Sequence, residues 1–111
     1  MTDTFIKTGA SQVDCPQFED PAFVTPKPLS EAKIAIVTSA SLHHEDDDDF
    51  APSDTGFRQL HRARRDIVVG HWSPNFDASG VAQDLNVVFP IDRLEDLAAK
   101  GEIGSVSDVH L

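Results

Sequence analysis

Two stretches carry uninterrupted apolar character. Residues 33–38 place Ile34, Ala35, Ile36 and Val37 in a row, which predicts a strand buried on both faces, as in the interior of an α/β sheet. Residues 66–72 repeat the pattern with Ile67, Val68 and Val69, and end at His71 and Trp72. A third run, Asn86 to Phe89, stops at Pro90, which has no N–H to continue a ladder. Asp92 then stands as a helix N-cap with Glu95 at capping-box spacing. Leu94, Leu97 and Ala98 form one apolar face, and Gly101 supplies the left-handed stop. Residues 84–101 therefore predict strand, tight turn, capped helix and stop. Residues 79–84 are expected to start a helical turn, and residues 57–60 a short strand or turn.

Residues 1–32 read differently. Pro16, Pro21, Pro26 and Pro28 recur too closely for a helix, so an extended arm is expected, with Phe5, Ile6, Phe18, Phe23 and Val24 as anchors on its own domain or on another subunit. The expected fold class is α/β: a small, mostly parallel sheet with few helices and an extended proline-rich N-terminal arm. The division is an arm over residues 1–32 and an α/β domain over residues 33–111, completed by a further segment or subunit. The end at Leu111, without a closing helix, suggests a trimmed or processed chain or one piece of a larger protein.

Length and charge narrow the classes. A chain of 111 residues suggests a single domain. Its net charge is −10, and residues 45–49 hold five of its 19 acidic side chains. That balance disfavours nucleic acid, whose backbone needs clustered cations. No apolar run approaches the roughly 20 residues of a membrane span, and the N-terminus lacks a signal-peptide core. A single cysteine, Cys15, excludes an internal disulfide and reads as an ordinary thiol. The cytoplasm is the expected compartment.

Candidate chemistry lies at strand ends. His43 and His71 each follow a predicted strand, and parallel neighbours would bring both imidazoles to one sheet edge. Asp77, Asp84 and Asp92 can approach the same edge. Imidazole plus carboxylate is a donor set for a divalent metal, and equally an acid–base pair. His43, His71 and Asp77 are thus the candidate catalytic residues and the candidate metal ligands, against the plainer reading of polar surface residues. Trp72, Asn86 and Arg93 are candidate substrate contacts. For these the alternatives are core packing, a turn and a surface ion pair. His44 with the acidic run reads as a solvated loop that attracts cations, without the ligand spacing of an EF-hand.

Three blocks carry a family resemblance: residues 29–43, residues 54–60, and residues 67–72 leading into residues 84–106, where the most specific part is Asn86 to Leu94. Together they resemble the selenoprotein B family of glycine, sarcosine and betaine reductases, to which a D-proline reductase subunit is related. The resemblance spans residues 29–110. It implies a multi-subunit complex that reductively cleaves a C–N bond in a small amino-acid-like substrate. It also implies a selenocysteine or cysteine nucleophile in a later motif, and a pyruvoyl group on a partner subunit. The chain reaches Leu111 before that motif, and Cys15 is on the wrong side to replace it. The expected function is therefore a subunit or N-terminal portion of a reductase-like enzyme, working with another protein subunit or as a homo-oligomer. Two alternatives stand beside it: a non-catalytic partner that completes another chain's active site, and a non-reductive metal or acid–base enzyme on the same scaffold.

Overall fold

In the computed structural model, residues 33–39 alternate between half-buried and exposed positions: Ile34, Ile36 and Thr38 turn inward, while Ala35, Val37 and Ser39 face solvent. Only one face of this segment is covered, which corrects the expectation of burial on both. The structure describes residues 3–20 and 22–111. Pro21, counted above towards the extended arm, lies outside the described residues, as do residues 1 and 2 of that arm.

Among the described residues the strands pair into three two-stranded sheets. Strand β1 (Lys33–Ile34) runs parallel to β5 (Ser105–Val106). Strand β2 (Leu42–His44) is antiparallel to β4 (Ile67–Val69), with His43 opposite Val68. Strand β3 (Leu60–His61) is antiparallel to β6 (Val109–His110). The sheets are thus mostly antiparallel, which corrects the mostly parallel arrangement expected from the apolar runs. Those runs are apolar because they line a small shared core, and not because helices cover both sheet faces. Mixed α and β structure with few helices does hold.

The helices are α1 (Asp3–Ala10), α2 (Ser79–Gln83) and α3 (Ile91–Ala99). Helix α1 corrects the expectation that the arm is extended throughout. No proline falls among residues 3–15, and Lys7 pairs with Asp3 one turn away at 2.6 Å. The residues of α1 are all exposed. Helix α2 starts where the helical turn was expected. The run Asn86 to Phe89 is not a strand. A 3-10 turn, Leu85–Val87, delivers Phe89 into the core, where it is fully buried.

Helix α3 begins at Ile91, two residues earlier than an Asp92 cap would set it, so Asp92 lies in the first turn instead of capping it. Burial of Ile91 in the core sets that start. The capping acceptor comes from upstream. Asn86 Oδ1 accepts the Asp92 N–H at 3.2 Å, while Asn86 Nδ2 donates to Asp84 Oδ1 and Asp92 Oδ2. The helix ends as its sequence predicts. Gly101 sits at φ 72°, the Gly101 N–H reaches Ala98 O, and the Glu102 N–H reaches Leu97 O. These two bonds form a Schellman cap.

The core gathers Ala40, Leu42, Leu60, Phe89, Ile91, Ile103 and Val106, with Leu94, Leu97 and Ala98 of α3 packed against it. Two buried histidines join the sheets. His44 Nε2 accepts the His61 N–H at 3.0 Å, tying β2 to β3. His110 Nδ1 accepts the Ile36 N–H at 2.9 Å, tying β6 to the chain leaving β1. Each bond needs an unprotonated ring nitrogen, so each imidazole is neutral in the fold.

Two predictions follow from this framework. Burial holds the His110 imidazole below the ordinary histidine range. The unfolded chain then takes up the proton first, so the contribution of His110 is complete above about pH 6.5 and is lost as pH falls through the lower folded value. His110→Asn keeps an acceptor near the Nδ1 position and should flatten that part of the stability–pH curve. His110→Phe leaves the Ile36 N–H unpaired and should cost about 1–3 kcal/mol in urea denaturation at neutral pH. A pH slope unchanged in His110→Asn would contradict the assignment. Second, a Cβ at Gly104 would stand 2.6 Å from the Glu31 carbonyl carbon and 2.9 Å from the Ala32 backbone. Backbone cannot yield as a side chain can, so Gly104→Ala should lower stability by at least about 1–3 kcal/mol, seen as a reduced urea midpoint.

Candidate functional site

The antiparallel pairing of β2 and β4 removes the geometry on which a shared histidine edge was expected. His43 sits in the middle of β2 opposite Val68, whereas His71 lies beyond the end of β4. What relates them is the loop after β2. It folds back so that Asp49, Phe50, Val69, Gly70, His71 and Trp72 line one cleft with a volume of about 320 Å3. His43 lies behind this lining. Its Nε2 is 3.6 Å from Asp49 Oδ1, and its ring meets the Phe50 ring edge-on, with centroids 6.0 Å apart.

The hydrogen bonds give the two imidazoles opposite roles. His43 is 3% exposed, and its Nδ1 lies 2.9 Å from His44 O. A carbonyl only accepts, so Nδ1 carries a proton, and in the neutral ring Nε2 presents a lone pair. His71 Nδ1 accepts the Ser73 N–H at 3.0 Å, so the neutral ring carries its proton on Nε2. The His71 ring stacks on Phe76 at 4.4 Å. In their neutral forms His43 thus offers an acceptor nitrogen and His71 an N–H donor. Trp72, 63% exposed, donates its indole N–H to Phe50 O across the cleft.

The other candidates lie elsewhere. Asp77 is exposed and does not line this cleft. Its Oδ1 accepts the Ser79 N–H at 2.9 Å, at the start of α2. The Ser79 hydroxyl, and then its N–H, hold the Asp77 carboxyl below the usual carboxylate range. Asn86 is engaged at the start of α3. Arg93 is exposed and pairs with Asp96 at 3.7 Å, three residues on. Among the described residues, no group of three or more His, Cys, Asp or Glu side chains is arranged as a metal set.

Three participants escaped the sequence reading. Asp49 was submerged in the acidic run, Phe50 follows that run with no periodic signal, and Gly70 looked like a strand residue. Gly70 is decisive for closure. A Cβ there would stand 3.0 Å from Phe50 Cδ2, 3.1 Å from His43 Cδ2 and 3.1 Å from Ser41 O. Its N–H donates to Ser41 O at 2.8 Å, and Ser41 itself adopts φ 54°. A glycine directly before the strand-end histidine was the available clue.

The basic segment 58–65 is consumed internally. Arg58 pairs with Asp54 at 2.9 Å and also donates to Asp48 O and Asp49 O. Arg64 pairs with Asp46 and Asp66, and this contact holds the Asp66 carboxyl far below the usual carboxylate range. Arg62 and Arg65 share Glu95 Oε1 at 3.1 and 3.4 Å. They line a wider cavity with His61, Ala63, Glu95 and Asp108, where the acids balance the arginines.

Among the described residues no helix is long and apolar enough to cross a membrane. No family model matches the sequence, and no solved structure matches it. The chain is similar to the D-proline reductase subunit gamma of Acetoanaerobium sticklandii, with 31% identity over 117 aligned residues. The alignment takes in 100% of this chain and 47% of that protein, so the chain spans about half the length of the curated relative it matches. The chain is therefore distantly related to a D-proline reductase subunit.

Proposed function

We propose that this chain is a component of a cytoplasmic reductase complex of the selenoprotein B type, acting on a small amino-acid-like substrate by reductive C–N cleavage. The observation that carries the reading is the similarity to D-proline reductase subunit gamma along the whole of this chain. The cleft supports it. His71, an N–H donor in its neutral form, lines a small space walled by Asp49, Phe50 and Trp72, and the buried His43 imidazole stands behind that wall, against Asp49. A donor on the wall, with a carboxylate backed by an imidazole beside it, suits proton transfer with a small polar substrate. The thiol or selenol nucleophile comes from sequence beyond these residues or from a companion chain, and the pyruvoyl group from a partner subunit. Asp77, Asn86 and Arg93 serve local structure and surface pairing in this reading.

A second reading has its own support. Phe18, Phe23 and Val24 are 74%, 88% and 82% exposed. An arm over residues 1–32 with such side chains free suits a partner that lies on another subunit and completes its pocket, leaving residues 33–111 as the α/β domain.

Both readings meet in one experiment. The chain is purified with its companion chains, and dithiol-dependent reduction of D-proline is measured, with glycine, sarcosine and betaine as comparators. His43→Gln and His71→Gln should each lower turnover by about 100-fold or more while the complex still assembles and keeps its circular dichroism. Unchanged turnover in both variants would replace the catalytic reading with the partner reading. Absence of any companion chain together with absence of reduction would overturn both.

A further inference from the structure

His43 and Asp49 make a contact that neither a hydrogen bond nor core packing accounts for. His43 is 3% exposed, yet its Nε2 makes no hydrogen bond, because the facing Asp49 Oδ1 is 3.6 Å away. A direct N–H···O bond would place the atoms about 2.7–3.2 Å apart. The ring is also turned so that Nδ1–H donates to a backbone carbonyl, that of His44. In the neutral ring this leaves the Nε2 lone pair facing a carboxylate, a pair that a proton or a metal ion held between them would bridge.

We propose that His43 Nε2 and the Asp49 carboxylate bind one divalent transition-metal ion of the zinc class, at a site open towards the cleft. Two tetrahedral positions with metal–ligand bonds of about 2.0–2.1 Å lie roughly 3.3 Å apart, close to the separation here. A backbone carbonyl on the far ring nitrogen is the usual second contact of a metal-ligating histidine, because it fixes the tautomer and raises the basicity of the other nitrogen. The field has the right sign: residues 45–49 are all acidic, in a chain of net charge −10. The side chain of Asp49 is 93% exposed, so it can close on an entering ion without leaving the core. The chain offers two ligands, and the remaining positions face the cleft for water or a bound molecule. His71, with its proton on Nε2, lines that cleft as a donor to such a ligand and not as a third metal ligand. The inference goes beyond the reductase reading and does not depend on it.

The test is Zn2+ titration of the full chain under reducing conditions, by calorimetry and by imidazole 15N spectra. One equivalent should bind, with the His43 Nε2 resonance shifting. Asp49→Asn should weaken binding at least about tenfold, and His43→Gln likewise, whereas Asp48→Asn and Cys15→Ser should leave it unchanged. No binding by the native chain would overturn the proposal, as would unchanged affinity in Asp49→Asn or a shift confined to other histidines. Because Asp49 is exposed, its variant decides the matter even if His43→Gln fails to fold.

Discussion

Neutral imidazole buried as a backbone acceptor is the constraint on which the rest of this fold depends. The sheets are only two strands wide, and none of them could close a core alone. His44 links the β2–β4 pair to the β3–β6 pair, and His110 links the β3–β6 pair to the segment that continues β1. Both rings are about 1% exposed. A proton on either accepting nitrogen would set a donor against a donor and break the joint. The joints carry a cost. His44 Nδ1 and His110 Nε2 have no hydrogen-bond partner, although His44 Nδ1 lies 3.3 Å from Asp66 and the His110 ring meets Phe89 edge-on.

The cleft is a consequence of this framework and of one arginine. Arg58 lies over the Phe50 ring, 4.3 Å from its centroid, and holds the carbonyls of Asp48 and Asp49. These contacts draw the acidic loop back over β2, where like charges alone would drive it into solvent. Asp49 then meets His43, and Phe50 meets Gly70, whose missing Cβ leaves room for both rings. Acidic residues that look interchangeable in sequence thereby separate into different tasks. Asp46 pairs with Arg64, Asp47 accepts the His44 N–H, and Asp49 faces an imidazole.

Features that rest on local chemistry could be read along the chain. The end of α3 at Gly101 was legible because a left-handed position after an apolar helical face favours glycine, and its Schellman bonds are local. So were the turn that became α2 and the apolar side of α3. The same blocks carried the likeness to amino-acid reductases that the relation to D-proline reductase subunit gamma partly supports. Tertiary structure decided the rest. Strand direction depends on which segments meet, and an apolar run reads the same in a parallel and an antiparallel pair. The run ending at Phe89 has strand composition, but the core needed Phe89 and Ile91 together, and a 3-10 turn achieves that. The place of Asp49 beside His43 arises from contacts between residues far apart in the chain, Arg58 with the loop and Gly70 with Phe50, which no local pattern encodes.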